Sequence, residues 1–172
     1  MKMQFANLWE KVSDIVPDDP ALINSKKIVT WKEYDSKAAK IANILEGHGL
    51  GSDSKVGLYL HNSNEYLEAQ YGVFKIEGVP INVNYRYKEN ELIYLLDNSD
   101  AEAVFFQGCY AERISSIKDQ LPKVKVFIQV DDGTEPLVSG ALDYEASISS
   151  ANAQERFDRT EENIYMLYTG GT

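Results

Sequence analysis

KVGLYLHNSNEYLEAQYGVFKIEGVPINV, residues 55–83, decides how the chain folds. Residues 55–60 place apolar side chains on both faces of a strand, the pattern of a strand covered above and below. Asn62 can cap the helix that follows, with Glu65 three positions on. Across 63–77 the apolar residues Tyr66, Leu67, Ala69, Tyr71, Val73, Phe74 and Ile76 fall nearly all round the helix, as in one buried between layers. Gly78 and Pro80 stop it, and a second strand spans 79–83. Strand, helix, strand with such short joints reads as a parallel crossover unit.

Working outward, the alternation continues. Residues 90–97 read as a helix, 101–106 as a strand, 110–121 as a helix with Ile114 and Ile117 inward, and 125–130 as a strand. Upstream, 7–16 has a helical apolar period that Pro17 and Pro20 end. Residues 21–24 and 28–30 suit a small hairpin. Thr30 and Glu33 have capping-box spacing, ahead of the apolar stripe Tyr34, Ala38, Ile41, Ala42 and Leu45, and Gly47 and Gly49 supply a left-handed stop. The expected fold class is α/β: a doubly wound, largely parallel sheet with helices on both faces, one subdomain over residues 1–172. Residues 131–160, acidic and rich in Ser, Ala and Gly, read as an exposed excursion in which only 141–148 looks helical. A final strand at 163–169 enters a loop, so that 164–172 reads as one strand-and-loop unit.

Composition narrows the function classes. Of the 172 residues 44% are hydrophobic and 26% charged, which excludes wholesale disorder. The net charge of -10 is lopsided, because residues 87–172 hold 16 acidic and only 7 basic side chains. Such a surface repels phosphate backbones and anionic lipid, so neither nucleic acid nor a charged membrane is an expected partner. No apolar run reaches the roughly 20 residues that span a bilayer. A single cysteine, Cys109, excludes an internal disulfide and a Cys-based zinc cluster. Residues 1–10 lack the apolar core of a secretory signal. A reduced, cytoplasmic, soluble protein is expected.

Thr169-Gly170-Gly171-Thr172 carries the chemistry. Glycines let backbone amides crowd an anion, and the two threonine hydroxyls add donors, so a strand running into this tetrapeptide suits a phosphate-cradling loop. A bare strand-to-turn junction is the alternative reading. No Gly-Lys-Ser/Thr occurs, so the loop is not a Walker A element.

The segment 163–172, Asn-Ile-Tyr-Met-Leu-Tyr-Thr-Gly-Gly-Thr, resembles the opening of the phosphate-loop signature of the AMP-forming acyl-adenylating superfamily. That superfamily contains fatty-acyl-CoA synthetases, coumarate-CoA ligases, luciferases and peptide-synthetase adenylation domains. Upstream, Thr30-Trp31 through Tyr34, Lys55-Val56 through Glu65, and Gly78 through Tyr87 with Glu91-Leu92 resemble the family's stretches in the family's order. The Asn84-Tyr85-Arg86-Tyr87 form is most similar to bacterial fatty-acyl-CoA synthetases. The resemblance implies a truncated N-terminal subdomain of the acyl-adenylating fold. It implies adenylation of a fatty or other carboxylic acid by ATP with Mg2+, then thioester formation with coenzyme A. Thr169, Gly170, Gly171 and Thr172 are the implied ligands of the ATP phosphates. The signature's further Thr, Gly, Pro and Lys residues are not in this sequence, so no catalytic residue or metal ligand is assigned and the chain alone is expected to be inactive. Two alternatives stay open: a non-catalytic α/β interaction module that self-associates through an exposed subdomain face, and a free-standing nucleotide-binding domain.

Elsewhere the polar residues read as structural. His48 suits a helix-end cap, and His61 lacks a second ligand for a metal. Cys109 has no basic neighbour to activate it, Arg86 can pair with Glu89 or Glu91, and Tyr34, Tyr59, Tyr71 and Tyr94 fall at core spacing.

Overall fold

The computed structural model describes residues 4–24, 27–159 and 162–168. Helix α1 (Phe5–Ile15) comes first, then strands β1 (Pro20–Ile23) and β2 (Ile28–Thr30), helix α2 (Trp31–Gly47), strand β3 (Lys55–Tyr59), helix α3 (Asn64–Lys75) and strand β4 (Val79–Asn82). They are followed by α4 (Glu89–Asn98), β5 (Ala101–Gln107), α5 (Ala111–Ile117), β6 (Val126–Val130), β7 (Leu142–Asp143), α6 (Tyr144–Ser150) and β8 (Met166–Leu167). β1 and β2 form an antiparallel hairpin. The other six make one sheet in the order β7-β6-β5-β3-β4-β8, and every pairing in it is parallel.

Side-chain alternation along the central strands divides the core in two. Val56 and Leu58 of β3, with Ala103 and Phe105 of β5, join the cluster under α2, α3 and α6. Tyr59, Val104 and Phe106 join the opposite cluster under α4 and α5. The sheet is therefore doubly wound, as its all-apolar strands require. A third cluster (Ala6, Leu22, Val29, Tyr34, Tyr71 and Phe74) seats α1 and the hairpin on the outer side of α2 and α3. The Thr30–Glu33 capping box forms at the head of α2, with the Thr30 amide donating to Glu33 Oε2 at 2.8 Å.

Helices α2 and α3 approach each other closely at Gly72. A Cβ there would stand 2.4 Å from Ile41 Cγ2 and 3.1 Å from the Ala38 carbonyl oxygen. Polar ties join the same helices to their neighbours. Glu68 of α3 is fully buried and accepts from the Tyr144 hydroxyl of α6 at 2.5 Å and from Lys37 Nζ at 3.1 Å. Between α1 and α3, buried Lys75 contacts Glu10 at 2.6 Å and Asp35 at 2.7 Å. Buried Arg159 donates to Glu10 Oε2 at 3.0 Å and to the Lys75 carbonyl at 2.8 Å. Burial alone would raise the Asp35 carboxyl, but Lys75 and the hydrogen bonds from Tyr71 and Arg156 hold it below the usual carboxylate range.

Several expectations need correction. Asn62 does not cap α3; Ser63 does, its hydroxyl accepting from the Tyr66 amide at 3.3 Å, because the helix starts one residue later. The helix expected over 110–121 is α5 with a 3-10 turn at each end. Residues 131–160 are not simply an exposed excursion. β7 extends the sheet, Val138, Tyr144, Ile148 and Arg159 are buried, and Gln129 folds the preceding loop back by accepting from the Val138 amide at 2.9 Å. A few anchors in an otherwise polar stretch fasten it. Tyr94 is 66% exposed on α4 rather than in the core.

Candidate functional site at the carboxyl edge of the sheet

From β3 the chain steps through α3 to β4 on one side, then returns through α4 to β5 on the other. Winding reverses at β3, and open α/β sheets take ligands at the carboxyl ends of strands near such a reversal. On this edge the His61 amide donates to Gln107 Oε1 at 3.2 Å, tying the ends of β3 and β5. His61 Nε2 and the Tyr110 hydroxyl share a hydrogen bond of 2.6 Å. Burial foremost, then Cys109 and Tyr59, push the Tyr110 phenol up to about 12.

The loop after β4 is held at the same edge. The Tyr59 hydroxyl donates toward the Tyr87 carbonyl at 2.9 Å, and Arg113 donates to that carbonyl at 2.9 Å and to the Tyr59 hydroxyl. Glu89 pairs with Arg113 at 3.4 Å, and Glu91 accepts from the Lys88 amide at 2.9 Å. Arg86 instead lies 5.5 Å from the Tyr85 ring centroid, so the expected Arg86 ion pairs are replaced by a cation–π contact.

The proposed phosphate ligands Thr169, Gly170, Gly171 and Thr172 lie outside the described residues. The described strand nearest to them in sequence is β8. β8 pairs parallel with β4, Ile81 opposite Met166 and Asn82 opposite Leu167, so Tyr168 leaves from the carboxyl edge. The Tyr66 hydroxyl donates to Asn82 Oδ1 at 3.1 Å and lies 2.7 Å from the Tyr165 hydroxyl. On the other face the Tyr168 hydroxyl donates to Asn98 Oδ1 at 2.7 Å. Burial, then the Tyr165 contact, raises the Tyr66 phenol far above its ordinary value; burial also raises Tyr168. Sequence reading missed Tyr165 and Tyr168; their opposite faces follow from the period of two, but their partners come from α3 and α4. An open cleft of about 750 Å³ lies away from this edge, between α1 and residues 156–159.

The AMP-binding enzyme family matches residues 9–172. The chain belongs to that family. This chain is 39% identical to the 3-oxocholest-4-en-26-oate–CoA ligase of Rhodococcus rhodochrous, over 100% of the chain and 32% of that protein. It is 35% identical to a medium/long-chain-fatty-acid–CoA/3-oxocholest-4-en-26-oate–CoA ligase of Mycolicibacterium smegmatis, again over 32% of the relative. It thus spans about a third of the length of these relatives. The anthranilate CoA ligase AuaEII, solved with anthranoyl-AMP, shares the fold with a TM-score of 0.89 at 20% identity, over 99% of this chain and 33% of that one. The N-terminal domain of FACL13 from Mycobacterium tuberculosis superposes with a TM-score of 0.84 at 22% identity, over 100% of the chain and 42% of that domain. Among the described residues no three His, Cys, Asp or Glu side chains are placed together to hold a metal ion. No helix among them is long and apolar enough to cross a membrane.

Proposed function

We propose that the chain is the N-terminal part of an ATP-dependent acyl-CoA ligase and begins its phosphate loop. The observation that carries this reading is β8, a parallel strand that runs toward Thr169-Gly170-Gly171-Thr172 at the carboxyl edge of a doubly wound sheet. In the first half-reaction a carboxylate oxygen bonds to the α-phosphorus of ATP and pyrophosphate leaves. In the second, a coenzyme A sulfur bonds to the acyl carbon and AMP leaves. The tetrapeptide's role is to hold the β- and γ-phosphates while charge builds on the departing pyrophosphate. The names of the relatives support a lipophilic carboxylic acid as substrate. A cytoplasmic location fits, because ATP and coenzyme A are met there and a lone Cys109 needs no oxidising compartment.

The chain by itself is inactive on this reading, because one wall of a site does not preorganise the groups around the reacting phosphorus. To test this, residues 1–172 replace the matching third of the Rhodococcus ligase, and carboxylate-dependent ATP–pyrophosphate exchange is measured. Exchange by the fusion and none by the chain alone is expected. A fusion that folds without exchanging overturns the ligase reading, and exchange by the isolated chain overturns its inactivity. Calorimetry with sub-millimolar Mg-ATP should give no heat with the isolated chain; clear binding would instead favour a free-standing nucleotide domain.

A further inference from the structure

We propose that the cleft between α1 and residues 156–159 binds a small aliphatic monocarboxylate whose head is held by Arg159. The cleft is open and encloses about 750 Å³, room enough for a short acyl chain. Its telling feature is a donor left over. A guanidinium carries five N–H donors and no acceptor. Arg159 Nε donates to the Lys75 carbonyl at 2.8 Å, and Nη1 donates to Asn7 Oδ1 at 2.9 Å and to Glu10 Oε2 at 3.0 Å. Nη2 is buried, and among the described residues no acceptor meets it. A charged donor stripped of water and left without a partner is costly, and Arg159 cannot shed its proton to escape that cost. An acceptor brought in from outside the chain removes it.

The remaining walls choose among acceptors. Lys11, Arg156 and Arg159 line the cleft together with Glu10, Asp14 and Asp158, so three positive groups face three negative ones. That balance leaves nothing to compensate a dianion, and the three carboxylates repel one. A single negative charge is the better match, and a carboxylate's two oxygens can serve both free N–H groups. Exposed Leu8 and Phe157 add an apolar wall for a hydrocarbon tail. The Phe157 ring centroid stands 4.5 Å from Arg159 Cζ, and an exposed ring can turn aside fast enough to admit the head to Nη2. No residue of the carboxyl edge takes part, so the site stands or falls apart from the ligase reading.

The test titrates sodium hexanoate, sodium acetate, inorganic phosphate and hexan-1-ol into the 172-residue chain. The readouts are the amide resonances of Asn7, Leu8, Phe157 and Asp158 and the side-chain N–H signals of Arg159. Hexanoate should give saturable shifts at millimolar concentration. Acetate should bind about tenfold more weakly, because it lacks the methylenes that Leu8 and Phe157 cover. Hexan-1-ol and phosphate should each bind at least about tenfold more weakly than hexanoate, the first for want of charge and the second for excess of it. Arg159→Lys keeps the charge but not the fork, and should weaken hexanoate about tenfold or more. Should that variant fail to fold, Leu8→Ala on the exposed wall should weaken hexanoate severalfold and leave acetate unchanged. Absence of saturable shifts with hexanoate overturns the site. Equal binding of hexan-1-ol overturns the carboxylate reading and marks a merely apolar groove, and tighter binding of phosphate overturns the choice of a monoanion. Arg159 N–H signals that stay still while hexanoate binds, or a folded Arg159→Lys with unchanged affinity, overturn Arg159 as the anchor. Unchanged hexanoate affinity in Leu8→Ala overturns the apolar wall.

Discussion

Cys109 follows β5 beside Asp132, whose Oδ2 accepts from the Cys109 amide at 3.1 Å. Burial first, and then the charge and hydrogen bond of Asp132, push its thiol above the ordinary value of 9.0. Alkylation by iodoacetamide should therefore be slow at about pH 8 and accelerate only above that value, because the thiolate is the nucleophile. Asp132→Asn should move the rate profile to lower pH and speed labelling severalfold near neutrality; an unmoved profile would refute the electrostatic cause. The absence of a basic activator was legible in the sequence, whereas Asp132 was not, since 23 residues separate the pair. The same limit hid Arg159: its salt bridge to Glu10 joins residues 149 apart, and no local pattern announces it. Thr169 to Thr172, singled out in the sequence by their glycines and hydroxyls, lie outside the described residues.

At the scale of elements, the α2–α3 contact turns on Gly72. Adding one methyl drives it into Ile41 and the Ala38 carbonyl, both fixed in a buried helix. Gly72→Ala gains helix propensity but overpacks the contact, for a net loss of about 1–3 kcal/mol. Thermal melts should show a fall of roughly 2–12 °C for a chain of this size, at about 2–4 °C for each kcal/mol; a higher melting temperature would show that the helices can part freely. Helices and strands from 5 to 130 were readable because local periodicity, caps and breakers agree there with tertiary burial. β7 has two residues, too few to display a period, and is a strand only because β6 pairs with it; the strand expected at 163–169 forms as β8, of which only Met166–Leu167 pair with β4.

At the scale of the whole molecule, β8 is the outermost strand among the described residues, with Leu167 on it 58% exposed and Ile164 just upstream at 56%. Unprotected edges of this kind recruit further chains. The net charge of -10 opposes that association, and salt screens it. Light scattering should therefore find a mass above the 19.4 kDa monomer that grows with both protein concentration and ionic strength. A monomer under all conditions would count against it. The doubly wound plan was visible in sequence because the crossovers from β3 to β6 are short; the long return from β7 to β8 was not, because beyond α6 residues 151–159 form no regular element and are held by scattered anchors. That return has a consequence for biosynthesis. On the ribosome β3 to β6 emerge and can pair well before residues 156–168 leave the exit tunnel. The outer rim of β4 stays vacant until then. A nascent chain thus passes through an interval with its sheet largely assembled and its outermost strand still unmoored, the stage most vulnerable to strand exchange with a neighbour on the same messenger.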